Sequence, residues 1–305
     1  MPIHSSRREF LQTAALFAAT SAWSKTAQAA PAAIVVDTHL HCFAGLKDER
    51  FPYHANAPYR PAGAATPERL LQCMDGAGVN FAIVVHPEPY QDDHRYLEYC
   101  LQVGKGRLKG TCLVFADRPD SMAQLPKLTR RGDIVAVRMH AYAPDRLPPF
   151  GKPELRAFWK KASDLGLIVQ LHLEPRYAPH FEPFIREFAA TKVIIDHLGR
   201  PFQGTPDEHA VIVGWSRFPN TIMKLAALPP PSEYPHRNIG PIVKQLADAY
   251  GADRMIYGGG FGEAATPESY RAARERIRSY LSHLKPEAQA KVFGLTAGKL
   301  FGFNG

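Results

Sequence analysis

Imidazoles are the groups of this chain best suited to chemistry, and several fall at a spacing of two. His39 and His41 close the run Asp37-Thr38-His39-Leu40-His41, and His172 is followed by Glu174 in Gln170-Leu171-His172-Leu173-Glu174. In an extended strand residues i and i+2 share a face, so each pair presents two polar groups to one side. Imidazoles on one face can hold zinc, and a carboxylate beside them can move a proton. Arg138-Met139-His140 and Asp196-His197-Leu198-Gly199-Arg200-Pro201 add two more histidines and two guanidiniums, whose fork geometry grips carboxylates. Four segments therefore carry histidine at the end of an apolar run, and their convergence would build a site. His140 taken alone reads as a hydrogen-bonded core or rim residue. Lys224, inside another apolar run, reads as a buried ion-pair partner or barrel-lining group rather than a nucleophile. His86 stays open, and His4, His54, His94, His180, His209, His236 and His283 read as surface residues.

The elements that must position these groups repeat one pattern. Short apolar strands are expected over Ile34–His41, Phe81–Pro87, Leu108–Ala116, Ile134–His140, Leu167–Glu174, Lys192–His197, Thr221–Leu228 and Arg254–Gly260. They are rich in Val and Ile and bounded by Gly, Pro or Asp, as strands buried on both faces are. Helices are expected between them at Pro67–Ala77, Pro153–Leu165, His180–Ala190, Ile239–Tyr250 and Pro267–Leu284. Thr66-Pro67 and Thr266-Pro267 supply a capping hydroxyl followed by a proline at the first helical position. Eight such units close a single (β/α)8 barrel, an α/β fold whose chemistry sits where the strands end. An open doubly wound sheet is the alternative, but no G-x-G-x-x-G follows the first strand. The Pro-rich piece Leu228–Pro235 is short enough to be one loop.

Of the 305 residues 45% are hydrophobic and 22% charged, which excludes disordered, collagen-like and coiled-coil classes. The +8 net charge weakly favours a small anionic partner. The basic residues are scattered with no aromatic-studded stripe, so nucleic-acid binding is not expected. Residues 1–29 read as an export signal: Arg7-Arg8-Glu9-Phe10-Leu11, an apolar run to Trp23, and a small-residue end at Ala27-Gln28-Ala29. The paired arginines resemble a twin-arginine signal, which implies the twin-arginine export machinery as partner and a periplasmic destination for residues 30–305. The run is too short to cross a bilayer, and no other segment suits a membrane span. The four cysteines Cys42, Cys73, Cys100 and Cys112 have no metal-site spacing and read as buried free thiols.

The Asp37-Thr38-His39-Leu40-His41 start, His172 and the Asp196–Pro201 run together resemble the amidohydrolase-related group of the amidohydrolase superfamily, over residues 33–303. Phe51-Pro52-Tyr53, Pro58-Tyr59-Arg60-Pro61 and Val137-Arg138 are similar to the branch that contains 2-pyrone-4,6-dicarboxylate lactonase. The resemblance implies a hydrolase or a non-oxidative decarboxylase. It implies His39, His41 and His172 as ligands of one divalent metal, zinc or manganese, where a member carries one; the lactonase branch works without metal. It further implies His197 as the group acting on a carbonyl or as acid/base, with Arg138, Arg200 and Tyr59 holding substrate oxygens.

One departure stands out. Strand eight of this family ends Gly-x-Asp-Trp/Phe-Pro, and its Asp binds metal or activates water. Here Tyr257-Gly258-Gly259-Gly260-Phe261-Gly262-Glu263 puts Gly260 in that place. Glu263, three loop residues on, and Glu174 are the carboxylates within reach of the role, whereas Asp253 belongs to the far end of the strand. Three readings follow: a three-histidine metal hydrolase with His197 or Glu263 as proton acceptor; a metal-free hydrolase with Glu263 or Glu174 as base and Arg138, His197 and Arg200 polarising an ester carbonyl; or a pocket that binds a small carboxylate without turning it over. A metal-dependent decarboxylase is a further alternative. The retained histidines and arginines favour an exported hydrolase of small, carboxylate-bearing lactones.

Overall fold

The computed structural model describes residues 34–303, apart from 227 and 229–237. The export signal of residues 1–29, His4, His236 and most of the Pro-rich piece at 228–235 lie outside the described residues. Eight parallel strands run in sequence order around one sheet: β1 Val36–Leu40, β2 Phe81–Val85, β3 Leu108–Leu113, β4 Ile134–Ala141, β5 Ile168–Leu173, β6 Val193–Ile195, β7 Thr221–Leu225 and β8 Met255–Tyr257. With helices between them they form the expected (β/α)8 barrel. Most strands stop short of the expected C-terminal ends. The residues just past these ends, such as His41, Asp196, His197 and Gly258, build the mouth.

The outer helices are α1 Pro67–Ala77, α2 Arg95–Gly104, α3 Pro119–Ala123, α4 Leu125–Leu128, α5 Pro153–Asp164, α6 Glu182–Glu187, α7 Pro206–Gly214, α8 Gly240–Tyr250, α9 Pro267–Tyr280, α10 Pro286–Ala290 and α11 Thr296–Phe301. Thr66 caps α1 by accepting from the Arg69 amide, and Thr266 caps α9 in a reciprocal box with Ser269. The helix expected over His180–Ala190 is instead a 3₁₀ segment, Pro175–His180, followed by the short α6. Pro179 and Pro183 each remove an amide donor and prevent one continuous helix.

Period two builds the barrel interior in layers. Ala136, Ile168, Ile194 and Ile222 meet inside the N-terminal end, sealed beneath by Phe301 and Phe303. Two residues further along the same strands stand Arg138, Gln170, Asp196 and Lys224, each 3% exposed or less. Two further again on β4 and β5 stand His140 and His172. An apolar plug thus supports a buried polar layer, which carries the imidazoles at the mouth.

The seam between β8 and β1 is closed by side chains. Thr38 Oγ1 donates to the Tyr257 carbonyl at 2.7 Å, and the Gly259 amide donates to Asp37 Oδ1 at 2.8 Å. Asp37 also accepts from the His39 amide at 2.8 Å and from the Tyr270 hydroxyl of α9 at 2.6 Å. A Cβ on Gly258 would stand 2.5 Å from the His39 amide nitrogen, so the close approach requires glycine there. Thr38→Val should cost about 1–2 kcal/mol, and Asp37→Ala, which strands three donors, about 3 kcal/mol or more. Urea unfolding midpoints test this; wild-type stability in both variants would mean that the seam is held elsewhere.

Candidate active site

At the centre of the polar layer lies one carboxylate. Asp196 Oδ2 accepts from Arg138 Nε and Gln170 Nε2, both at 2.9 Å, while Lys224 Nζ stands 3.1 Å from Oδ1. His39 Nδ1 lies 3.7 Å from Oδ1 and 3.5 Å from the ammonium. Thr111 extends the network by donating to Gln170 Oε1 at 3.2 Å. Burial alone would raise the Asp196 pKa, but the charges of Lys224 and Arg138 outweigh it and hold the group well below the usual carboxylate range. Asp196 is thus an anion despite complete burial. Lys224 is the ion-pair partner that its place in the sequence suggests.

Above this centre the imidazoles converge. His39 lies with ring centroids 5.1 Å from His41 and 4.5 Å from His197. His172 lies 5.0 Å from His197 and 5.1 Å from His140. Two tautomers follow from the partners. His41 Nδ1 reaches the Val85 carbonyl at 2.7 Å, so it carries the proton and Nε2 keeps the lone pair. Arg138 Nη2 donates to His197 Nε2 at 3.4 Å, which leaves the His197 proton on Nδ1. The turn that delivers His197 and Arg200 is left-handed over four consecutive residues, with φ of +53° at His197, +57° at Leu198, +71° at Gly199 and +53° at Arg200. Three of the four are not glycine, and such strain is retained where surrounding contacts over-determine it. One of those contacts is His209, whose Nε2 donates to the Leu198 carbonyl at 2.8 Å.

On the side of β2 and β4 the mouth opens into a cavity of about 270 Å³ lined by Glu88, Arg118, His140 and Arg146. Glu88, just past β2, accepts a very short bond from the Tyr142 hydroxyl. It lies 3.4 Å from Arg146 Nη1 and 3.7 Å from His140 Nδ1. His140 Nδ1 is also 3.2 Å from His172 Nδ1, so a line of polar contacts runs from Glu88 through His140 to His172. Arg200 stacks its guanidinium over the Tyr142 ring at 5.2 Å. Half-exposed Tyr59 packs near Phe43 and feels the charges of Glu88, Arg138 and Arg146. Arg138 and Lys224 thus face Asp196, and Arg146 faces Glu88.

Of the groups singled out in the sequence, His39, His41, His172, His197, Arg138 and Arg200 meet at this mouth, with Tyr59 at its rim. Glu174 turns instead to Arg176, 3.1 Å away, and Glu263 is exposed with its carboxylate over Gly63. Gly260 has φ +113°, and a Cβ there would meet Ala273 Cβ of α9 at 2.7 Å, so a side chain at 260 points into the helix layer. Three histidines depart from expectation. His140 belongs to the cluster rather than standing alone in the core or at the rim. His94 is buried, accepting from the Leu113 amide with its ring centroid 4.5 Å from that of His86, and His209 is buried beneath the left-handed turn. Exposed His54, His180 and His283 are surface residues, as expected. The four cysteines are buried and free.

Sequence reading passed over Glu88 and Tyr142 and gave Asp196 and Gln170 no role. Asp196 was legible, since it stands two residues beyond Ile194 on a strand whose inward side is otherwise apolar. Glu88 carried only the weak signal of an acid following Pro87 at a strand end.

Among the described residues, His39, Asp196 and His197 are the metal-capable donors whose atoms come within 4.8 Å of one another. This set differs from the expected His39, His41 and His172. His41 and His172 direct their Nδ1 atoms to Val85 and His140. The donor types suit zinc, but the Lys224 ammonium already stands against two of the three, so the residues as arranged do not fit a divalent ion.

Burial, followed by the Arg138 charge, pushes His41 down to about 3. Burial also takes His197 down to about 4, with Arg138 lowering it further against the pull of Asp196. Both rings are therefore neutral at pH 7. Their folded values lie below the unfolded value of about 6.5, so the unfolded state takes up protons first as pH falls. Stability should drop between pH 6.5 and 4, by a few kcal/mol from His197 at most. Denaturation midpoints of His197→Gln should fall less over that window; an equal fall would place the proton uptake elsewhere.

The profile of the amidohydrolase family matches residues 36–303, the whole barrel. An L-fucono-1,5-lactonase from Burkholderia ambifaria is 27% identical over 285 residues, covering 85% of this chain and 92% of that protein. Among solved structures, a probable 2-pyrone-4,6-dicarboxylic acid hydrolase from Acinetobacter baumannii with citric acid bound has a TM-score of 0.71 at 22% identity, covering 88% of this chain and 99% of the other. An amidohydrolase from Burkholderia multivorans with bound zinc has a TM-score of 0.71 at 17% identity, covering 89% and 100%. These structures share the fold, and the profile spanning every strand of the barrel shows that the chain belongs to the amidohydrolase family.

Proposed function

We propose that the protein hydrolyses small lactones bearing a carboxylate, and that it does so with its own side chains. The observation that carries this reading is the mouth itself: neutral imidazoles converge beside three guanidiniums at the C-terminal end of the barrel. The similarity to an L-fucono-1,5-lactonase and to a probable 2-pyrone-4,6-dicarboxylic acid hydrolase supports cyclic-ester chemistry. The guanidiniums of Arg138, Arg146 and Arg200, gathered at the mouth, support an anionic substrate, or an anionic product, in the manner of the 2-pyrone-4,6-dicarboxylate branch. The twin-arginine pattern of residues 5–11 supports export to the periplasm.

In this scheme Arg146 and Arg200, flanking Tyr142, hold the carboxylate, with Tyr59 closing over the rim. Arg138 and His197 stand where the lactone carbonyl oxygen gains negative charge. Water adds to the carbonyl carbon and its proton passes to His172, which His140, itself beside Glu88, positions. The ring C–O bond then breaks, the ring oxygen takes that proton from His172, and an open hydroxy acid leaves. Glu88 takes the place that Glu174 and Glu263 hold in the sequence-based schemes, because those two carboxylates face Arg176 and Gly63. The strand-eight glycines favour a second reading, a pocket that binds small carboxylates without turnover.

Assays against 2-pyrone-4,6-dicarboxylate and L-fucono-1,5-lactone separate these readings. Turnover of the dicarboxylate is expected, lowered about 100-fold or more in His197→Gln and in Glu88→Gln. Glu174→Gln and Glu263→Gln should stay within about threefold of wild type. Arg200→Met should raise KM about tenfold or more by loosening the carboxylate. Binding of both compounds without hydrolysis would establish the silent pocket and end the lactonase reading.

A further inference from the structure

Lys224 is the one buried cation of the polar layer to which the scheme above gives no step. It and Asp196 are both 0% exposed, and its Nζ stands 3.1 Å from Asp196 Oδ1 and 3.5 Å from His39 Nδ1. Those atoms belong to two of the three residues whose donors come within 4.8 Å of one another. The third, His197, meets Arg138 at 3.4 Å, near the long limit of a hydrogen bond. We propose that the Lys224 ammonium occupies the place of a divalent cation in this barrel, so that removing it converts His39, Asp196 and His197 into a metal site.

The argument rests on charge and donor chemistry. Asp196 divides its oxygens, Oδ2 going to Arg138 and Gln170 and Oδ1 to Lys224. A carboxylate this deeply buried needs a positive partner on each side or it neutralises itself. The ammonium supplies that charge at Oδ1 from β7, on a stem rooted two residues above Ile222 of the apolar plug. Cutting the stem back leaves a buried space bordered by one carboxylate oxygen and imidazole nitrogens, a borderline-soft donor set suited to zinc and cobalt. A bound divalent ion would restore the missing charge, whereas a water would not. The inference concerns the cation site alone and holds whichever ester the mouth accepts.

Cobalt(II), whose visible absorption reports coordination number, is the probe, titrated into the purified full chain with equilibrium dialysis alongside. Wild type should take up no cobalt that depends on His39. Lys224→Ala and Lys224→Ser should bind one equivalent at least about 100-fold more tightly than wild type, with the intense visible bands of a low-coordinate site. Adding Asp196→Asn to either should abolish that binding, and Lys224→Met, which fills the space without charge, should leave it closed. If the small variants unfold, recovery of their circular dichroism on adding cobalt supports the proposal, and failure to recover overturns it. One equivalent held by wild type and released by His39→Asn also overturns it, as do folded Lys224→Ala and Lys224→Ser proteins that bind no more tightly than wild type. None of these outcomes depends on lactone turnover, so this proposal and the lactonase reading fail separately.

Discussion

The mouth of this barrel depends on keeping Asp196 ionised although it is fully buried. An isolated carboxylate there would take up a proton, since moving such a charge out of water costs several kcal/mol even after relaxation. Arg138 and Lys224 prevent this from opposite sides, and Gln170 satisfies a further lone pair. The consequence spreads outward. Arg138, held by Asp196 through Nε, is aimed so that Nη2 meets His197. Lys224, held through its ammonium, fixes the environment of His39. Burial keeps the rings above neutral, and the positive charges that preserve Asp196 add to that effect.

Much of this was legible in the sequence because it depends on local rules. Alternation along β4 and β5 places His140 and His172 on the inward side whatever the packing, and the eight-fold repeat of strand and helix leads to the barrel. Thr66 and Thr266 announced their helix starts for equally local reasons. The parts that stayed hidden are those fixed by distance in sequence. Glu88 joins the site because β2 and β4 are near neighbours and Tyr142 and Arg146 reach across to it, a contact over more than fifty residues. His94 and His209 look like surface residues in isolation, and only the packing of β3 against α2, or of α7 under the left-handed turn, buries them. Glu174 turns away from the imidazoles to Arg176, and exposed Glu263 lies over Gly63.

The left-handed turn at His197–Arg200 shows why the Asp196–Pro201 run reads as a unit. A backbone that holds three non-glycine residues at positive φ needs anchoring on both sides. Asp196 anchors the entry through its ion pairs. His209 anchors the middle through the Leu198 carbonyl, and Gly199 allows α7 to press close, since a Cβ there would meet Ile212 at 2.8 Å. The result sends two neighbouring functional side chains, His197 and Arg200, to different parts of the mouth: one down toward Arg138, the other across Tyr142.

The glycines after β8 connect to the same economy of charge. Here Gly258 lets β8 close on His39, and Asp37 takes the Gly259 amide, so a buried carboxylate stands at the seam although it belongs to β1. The backbone at Gly260 then runs in a conformation that favours glycine and points any side chain toward Ala273. Restoring an aspartate at 260 would therefore place its carboxylate against α9 and Tyr270 rather than against the imidazoles. Gly258 and Asp37 thus close the seam together, and Glu88, brought by the β2 loop, stands 3.7 Å from His140 Nδ1 at the mouth.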